Sequence, residues 1–493
     1  MVATDVVYFE AVLCSESGKS MFESNTPLLG TTLDQFQPEP GRAQSAAREL
    51  TRLGFTVRHI GTFSISGEGP KALFERVFST RLAQRQAPTH DNPQSPKISY
   101  WSHVADTPFI LPGNLVGLIS HVYPQRPLQL FGHCHASPLP PAVAYHHLRV
   151  PDDIATVLRA HQPHRQGITG NNILVAMPDT GFFKHPFYAA HGYRYKRMLT
   201  PGVTDLENDE NGHGTAEAAN IFACAPDVNF IGIKMNFGDM TLAFKTAMDL
   251  RPQIITCSWG HNLNDKDTLP NHLKPLEAVI LEAIHHLGIT VCFSAGNGHI
   301  GFPGMMPDVI SVGGVYAHAN FDGDDFKLEA SNYASAFTSK IYPGRQVPDF
   351  CGLVGQQPHA SYIALPVEPE NETDQRGAQP GGNPTLKFPE ADETRPNDGW
   401  AMISGTSAAA PQIAGVCALM KQINPDLSPA LMKTILKASC RDVKKGMSNS
   451  AENLAAGPGH DQATGAGLID ATLACELARA TRNTAQLQKS SKN

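Results

Sequence analysis

Four polar side chains stand in glycine-bracketed turns in one order along the chain: Asp179 in VAMPDTG, His213 in NGHGT, Asn297 in SAGNG and Ser407 in GTSAAAP. Each alone has an ordinary explanation. An Asp after a strand closes a turn, an Asn among glycines satisfies its own backbone, a His near a helix start is structural, and a Ser opening a helix is an N-cap. Together they are what acyl transfer needs. A serine hydroxyl is a weak nucleophile until an imidazole takes its proton, and the imidazole needs a carboxylate to fix its tautomer and stabilise its cation. The oxyanion that develops needs donors already in place, which an Asn amide and a helix-terminal N–H supply.

These residues must be held by regular elements. The segments NNILVAMP, APDVNFIGIKM, QIITCSWG and GITVCFSAGN read as buried strands, separated by helical patterns at residues 214–222, 240–250 and 273–286. Apolar strands alternating with crossover helices predict an α/β fold with a mainly parallel sheet covered on both faces. Sites of such sheets lie beyond the carboxyl ends of the strands. Helices at 407–421, 428–438 and 468–480 complete this domain, placed at 151–482 and followed by a flexible tail, 483–493. An acidic, Pro- and Gly-rich stretch at 367–397 reads as a surface insertion, either a lid or partner loop beside the nucleophile or an idle one.

Ahead of it, a strand at 6–13, a helix at 43–53, the extended pieces FTVRHI and TFSISG, a helix at 70–78 and an extended piece near Leu82 give the split βαβ order. That predicts a small ferredoxin-like α+β domain over 1–124. Residues 125–150, rich in Pro and His, read as an exposed connector. Its His133-Cys134-His135 cluster could be a metal half-site, but residues one and two apart rarely converge on one ion without help from elsewhere, and it reads more simply as a solvated linker.

Composition narrows the function classes. With 41% apolar and 17% charged residues and a net charge of -7 over 493 residues, the chain is globular and lacks a basic field for nucleic acid or a membrane surface. No apolar run is long enough to span a bilayer. The N-terminal stretch lacks a basic segment and Glu10 interrupts its apolar run, so no secretory leader is expected and a cytoplasmic location is predicted, with non-standard export left open. Nine cysteines, odd in number and without close CxxC pairs, read as reduced thiols.

The motifs GITGNNILVAMPDTG, NGHGT, FSAGNG and GTSAAAPQIAGVCALMKQINPDLSP, with the late TGAGLIDATLAC, resemble the subtilisin-type (subtilase) serine peptidases over roughly residues 152–480. The resemblance implies a subtilisin-like fold, with Asp179 orienting His213, His213 as general base and then acid, and Ser407 as nucleophile. It implies an oxyanion hole from the Asn297 amide and the Ser407 N–H, and a peptide laid along Ser258, Trp259 and Gly260, with Ser294 and Gly296 also lining the substrate site. The first domain is similar to the activation prodomains of sedolisins. Those peptidases use a Glu and Asp pair in place of His, and Ala216, Glu217 and Asn220 after His213 do not supply one.

The resemblance implies a serine endopeptidase made as a self-processing proenzyme, whose substrate is a peptide or protein and whose first domain is an intramolecular inhibitor and folding aid. Self-cleavage is expected between about Gln125 and Val150. Two other readings stand beside it: a catalytically silent peptide-binding or regulatory module, and a processing protease narrowed to one partner. The short GHIGFPG turn after Asn297 implies a rebuilt specificity pocket, and Ala216 after HGT is a change in helix packing. No cofactor is required and no metal ligands are assigned. The acidic turn at 321–325 resembles a calcium loop but reads more simply as a hairpin turn. His146 and His147, and His285 and His286, read as linker and helix-surface residues.

Overall fold

The computed structural model describes residues 5–22, 28–88, 97–130, 147–264, 266–318, 327–356, 362–379 and 392–490. The larger domain is built on a ten-stranded sheet. Its path runs Tyr195–Leu199, Asn229–Lys234, Leu174–Asp179, Ile254–Cys257, Thr290–Ser294, Ile310–Ala317, Phe350–Val354, Leu468–Ile469 and Cys440–Arg441, with Leu328–Ala330 paired to Ile310–Ala317 off this path. The first eight strands run parallel; Cys440–Arg441 and Leu328–Ala330 are antiparallel. All residues of Ile254–Cys257 and Thr290–Ser294 are buried, as expected of strands covered on both faces. All four expected strands are present here. Asp179, Cys257 and Ser294 end three neighbouring strands, so the segments that follow open at one edge of the sheet.

The helix Thr406–Ile423 is buried at every position except Gln422. A helix apolar and small-sided all round belongs in a core, and this one crosses against both the sheet and the helix His213–Cys224. Gly415 allows the crossing, since a Cβ there would lie 2.6 Å from Cys224 Cβ and 2.7 Å from the Ile221 carbonyl oxygen. The final helix, Ala471–Ser490, runs through the stretch expected to be a flexible tail.

The N-terminal domain has a four-stranded antiparallel sheet in the order Thr56–Ile60, Ser64–Pro70, Val6–Leu13, Ile119–Pro124. The sequence reading put the fourth strand near Leu82; instead Leu82–Pro88 pairs with Lys97–His103 in a separate hairpin, and Ile119–Pro124 takes the edge. Both edge pieces are short and half-polar, and only the non-local partner distinguishes them.

Alternation along Val6–Leu13 separates two faces. Val7, Phe9, Ala11 and Leu13 join the domain's own core, where Phe9 meets Phe55 at 5.1 Å and Phe74 meets Phe78 at 4.7 Å. Glu10 and Val12 face the larger domain, Val12 within the core beneath the helices Met240–Asp249 and Lys274–His285. Lys245 Nζ donates to Glu10 Oε2 at 2.8 Å, with both side chains fully buried, and also to Ser64 Oγ and Ser66 Oγ at 3.1 Å.

Parts of the expected exposed connector are buried at its described ends. Gln125 accepts from Thr241 Oγ1 at 3.0 Å, Leu128 is wholly buried, and Gln129–Leu130 is a strand. At the far end His147–Arg149 pairs parallel with Tyr362–Pro366. The His133-Cys134-His135 cluster, His146 and the 321–325 turn lie outside the described residues. His147 Nε2 meets Glu393 at 3.3 Å, His285 meets Asp308 at 2.5 Å and His286 meets Asp34 at 3.0 Å, so these three pair with surface carboxylates. Among the described residues no helix is long and apolar enough to cross a membrane, and no cluster of three or more His, Cys, Asp or Glu residues is arranged to hold a metal ion.

A buried ion pair is costly to break on one side only. Lys245→Met, which strands the Glu10 carboxylate, is expected to lower unfolding stability by about 3–5 kcal/mol. Adding Glu10→Leu should recover most of the loss, and urea denaturation of the three proteins measures it. A double variant no more stable than the single one would count against this account of the interface.

Candidate active site

Asp179 is the last residue of its strand and has no exposed surface. Its Oδ1 accepts from Thr180 N and lies 2.7 Å from His213 Nδ1. Because that carboxylate oxygen can only accept, Nδ1 carries the proton and Nε2 is left with a lone pair in the neutral ring. His213 begins its helix, after Gly212 at φ 90°. The next residue must be glycine: a Cβ on Gly214 would lie 2.3 Å from the Gly181 carbonyl oxygen and 3.0 Å from Asp179 Cβ.

The first N–H groups of a helix lack partners within it. Here Asp209, fully buried, supplies them: it accepts from Gly212 N at 3.0 Å, Thr215 N at 2.9 Å, Thr215 Oγ1 at 2.6 Å and Thr180 Oγ1 at 2.8 Å. Thr180 Oγ1 in turn accepts from Gly214 N at 2.9 Å. The sequence reading missed Asp209. Its signal is an acid three residues before the glycine that caps the helix, inside a stretch, NDENG, that looks like an ordinary polar turn.

Burial opposes a charge on His213, but Asp179, through its charge and its hydrogen bond, and the carboxyls of Glu217 and Asp209 outweigh it and raise the imidazole pKa to about 9. Glu217, one turn on and fully buried, has its Oε1 4.0 Å from His213 Nε2. Burial, and Asp179 nearby, push its carboxyl up to about 8 although His213 pulls the other way. The sequence reading found no acid pair replacing the histidine, and His213 does hold that place. It did not foresee that Glu217 turns inward beside the ring, which its position four residues on from His213 permits.

Ser407 is the second residue of its helix, so it is not the N-cap; that position is Gly405, at φ 146°. Pro411 explains how the serine is fixed. With no N–H, Pro411 leaves the Ser407 carbonyl without its helical donor, and Ser258 Oγ donates to that oxygen at 2.9 Å. Ser407 Oγ points at the Ser258 carbonyl at 3.4 Å. The structure therefore brings Asp179 and His213 together and holds Ser407 against the strand end next to theirs. Among the described residues it shows no hydrogen bond between His213 Nε2 and Ser407 Oγ.

Asn297 follows the strand Thr290–Ser294. Its Oδ1 accepts from Thr406 N at 2.9 Å, and a Cβ on Gly405 would lie 3.0 Å from Nδ2, so the amide faces the turn before Ser407. Gly296 N donates to Thr406 Oγ1 at 3.0 Å and its carbonyl accepts from Ser335 N, so Gly296 supports the Asn297 turn. Ser294 is buried, and among the described residues its Oγ has no hydrogen-bond partner.

Of the expected peptide-laying segment, Trp259 is buried with Nε1 donating to the Pro178 carbonyl at 2.8 Å, so its side chain is core. Its backbone is paired with Gln129–Leu130: Trp259 with Leu130 and Gly260 with Gln129, antiparallel.

The chain resembles known proteins over the same region. The model of the subtilase family matches residues 170–467, more than half of the chain. Serine protease AprX of Bacillus subtilis (strain 168) is 27% identical over 310 residues, covering 55% of this chain and 62% of that protein. Subtilisin BL of Lederbergia lenta is 24% identical over 299 residues, 58% of this chain and 90% of that protein. The chain thus spans under two thirds of the length of AprX. Among solved structures, fervidolysin from Fervidobacterium pennivorans, a keratinolytic enzyme related to subtilisin, aligns with a TM-score of 0.56 at 16% identity, covering 96% of this chain and 61% of that one. That last likeness is one of fold.

Two measurements test the geometry. The imidazolium form, favoured in the fold up to about pH 9, contributes stability that is complete below its unfolded pKa of roughly 6.5 and lost as pH rises through about 9. Asp179→Asn should leave burial dominant and drop the His213 pKa below its usual value, which ¹⁵N NMR titration reads; a value still near 9 would show that Asp179 is not the cause. Ser258→Ala should strand the Ser407 carbonyl and lower stability by about 1–3 kcal/mol in thermal unfolding.

Proposed function

The chain belongs to the subtilase family, and on that premise we propose that it is a serine endopeptidase made as a self-processing proenzyme. The observation that supports this most directly is the buried 2.7 Å contact between Asp179 Oδ1 and His213 Nδ1, which leaves Nε2 as the only ring nitrogen able to accept a proton.

In this reading Ser407 Oγ leaves the Ser258 carbonyl, passes its proton to His213 Nε2 and attacks the peptide carbonyl carbon. The developing oxyanion meets the Asn297 side-chain amide and the Ser407 N–H, which at the second helical position has no partner within the helix. His213 then returns the proton to the leaving amine, and water repeats the sequence on the acyl-serine. The substrate chain adds as a strand to the Trp259–Gly260 edge, which gives affinity independent of sequence.

The proenzyme part rests on the strand Gln129–Leu130. It pairs with Trp259–Gly260 as a substrate would, antiparallel, with Leu130 opposite Trp259, the residue next to Ser258, and Ser258 binds the Ser407 carbonyl. The N-terminal domain, anchored through Lys245 and Glu10, is then an inhibitor held in place by its own docking. A cut within a few residues after Leu130 is expected. A reducing, cytoplasmic setting is favoured by the eight described cysteines, all free thiols and six of them buried. A non-catalytic peptide-binding module draws only on the contact of Ser407 Oγ with the Ser258 carbonyl in place of His213 Nε2.

A fluorophosphonate probe decides between the two. Wild-type protein should be labelled on Ser407 and Ser407→Ala should not, with peptide hydrolysis falling on the order of 10⁴-fold or more. Asn297→Ala should keep labelling but lose about 10²–10³ in turnover. Intact mass should show the wild-type chain shortened and Ser407→Ala at full length; absence of labelling sinks the hydrolase, and an uncut wild-type chain sinks self-processing alone.

A further inference from the structure

His213 Nε2 and Glu217 Oε1 are both buried, both without a hydrogen-bond partner among the described residues, and 4.0 Å apart. At that separation they do not hydrogen-bond, but in a buried place the charge on one acts strongly on the proton affinity of the other. Glu217 is not free to swing away. Its Oε2 accepts from Asn220 Nδ2 at 2.9 Å, Asn220 Oδ1 accepts from Gln412 Nε2 at 3.1 Å, and Gln412 is fixed to Leu353 by bonds of 2.8 and 3.2 Å to its N–H and carbonyl. A chain of buried amides thus runs from the strand Phe350–Val354 through the serine helix to the histidine helix and presents the carboxyl to the ring.

We propose that Glu217 is a positioning residue whose carboxyl titrates as one pair with His213 across the Nε2 side of the ring, and so sets the pH at which His213 can act as a base. This rests on the serine peptidase reading above, in which Nε2 is the atom that receives the Ser407 proton. With one proton on the pair, it resides either on the ring, giving an imidazolium that cannot accept, or on Glu217, giving a neutral ring that can. Removal of that last proton leaves the ring neutral in every molecule. Glu217 in its ionised form holds a proton on the ring and moves the base-competent state to more alkaline pH.

The charged and titratable neighbours leave Glu217 in this role. Asp179, at its strand end, and Asp209, in the turn before the helix, are the other carboxyls acting on His213. Tyr188, whose hydroxyl donates to the Thr215 carbonyl, senses both Asp209 and Glu217, and burial keeps it neutral with a pKa far above its ordinary value. The serine helix and the strand behind it contribute uncharged Gln412 and Leu353. Among the described residues no lysine or arginine pairs with Asp179, His213 or Glu217, so nothing cationic competes with the imidazole for the carboxyl. Direct contact with Ser407 is not required of it. The carboxyl acts through the ring.

Glu217→Gln keeps the volume and the bond from Asn220 and removes the charge. The acid limb of kcat/KM, or of the rate of fluorophosphonate labelling, should move to lower pH by roughly one unit or more and sharpen to a single proton step. Glu217→Asp, which retains the charge on a shorter arm, should return part of the shift. A limb in the same place in wild type and Glu217→Gln overturns the proposal, because loss of a purely structural contact changes stability without moving it.

The His213 ring should be followed by ¹⁵N NMR in Ser407→Ala protein with and without Glu217→Gln. Two coupled steps with Glu217 present and one lower step without it are expected, and identical single steps overturn the inference. If Glu217→Gln does not fold, the number of steps seen with Glu217 in place decides. The NMR result stands even where no serine labels at any pH, so failure of the hydrolase reading and failure of the Glu217 role are told apart.

Discussion

A carboxylate with no exposed surface at the end of a parallel strand must have its charge answered at short range, and at Asp179 the answer is the Nδ1–H of His213. That single contact fixes how far the histidine helix stands from the strand, and the distance leaves no room for a side chain at position 214. The helix start, drawn so close to the sheet, brings unsatisfied N–H groups into a buried place. Asp209 and Thr180 take them up, which makes a second buried carboxyl a condition of the first. The polar residues around the ring are thus consequences of one another.

The serine is located by a separate chain of contacts that meets the first at the sheet. Trp259 Nε1 binds the Pro178 carbonyl, one residue before Asp179, and Ser258, next to Trp259, binds the carbonyl that Pro411 leaves open on Ser407. The proline that would ordinarily damage a helix here gives Ser258 a defined partner, and so ties the helix start to a particular strand. Asn297 does the same from the other side by accepting from Thr406 N. Ser407 and His213 are therefore referenced to adjacent strands, and the spacing between strands in a sheet, about 4.8 Å, is among the least variable lengths in a protein.

How much of this could be read in the sequence follows from the range of each interaction. Strands such as Ile254–Cys257 and helices such as Met240–Asp249 declare themselves by local periodicity, and the turns carrying Asp179, His213, Asn297 and Ser407 by their glycines. Local signals failed where the partner is distant. The piece at Leu82–Pro88 carries no mark showing that it pairs with Lys97–His103 rather than with the main sheet. The Pro- and His-rich composition of residues 125–150 reads as solvated chain, yet Leu128 and Leu148 are wholly buried because other elements offer them a groove and a strand edge. Glu217 and Asp209 were illegible for the same reason: an acid is polar by type, and only tertiary neighbours decide that it is inside.

The acidic insertion and the connector meet in a way that bears on the whole site. The described part of the insertion grips the turn before His213: Glu372 N donates to the Glu210 carbonyl at 3.1 Å, Thr373 Oγ1 to the Asn211 carbonyl at 2.6 Å, and Asn371 Nδ2 occupies the space where a Cβ on Gly212 would lie. It is an outer brace for the histidine turn. Its base is the small sheet of His147–Arg149, Tyr362–Pro366 and Trp400–Ile403, and the last of these strands leads directly into Gly405 and Ser407. One end of the connector therefore pairs with the strand at Trp259 and Gly260, while the other is built into the frame that carries Ser407 and steadies His213. On the proposed self-processing reading, a cut between those ends would free Gln129–Leu130 from the frame without unpairing His147–Arg149. On that reading the two strands would be separable by breaking a single peptide bond, and the buried Lys245–Glu10 pair, with His59–Asp249 and His286–Asp34, would be among the polar ties still holding the N-terminal domain in place.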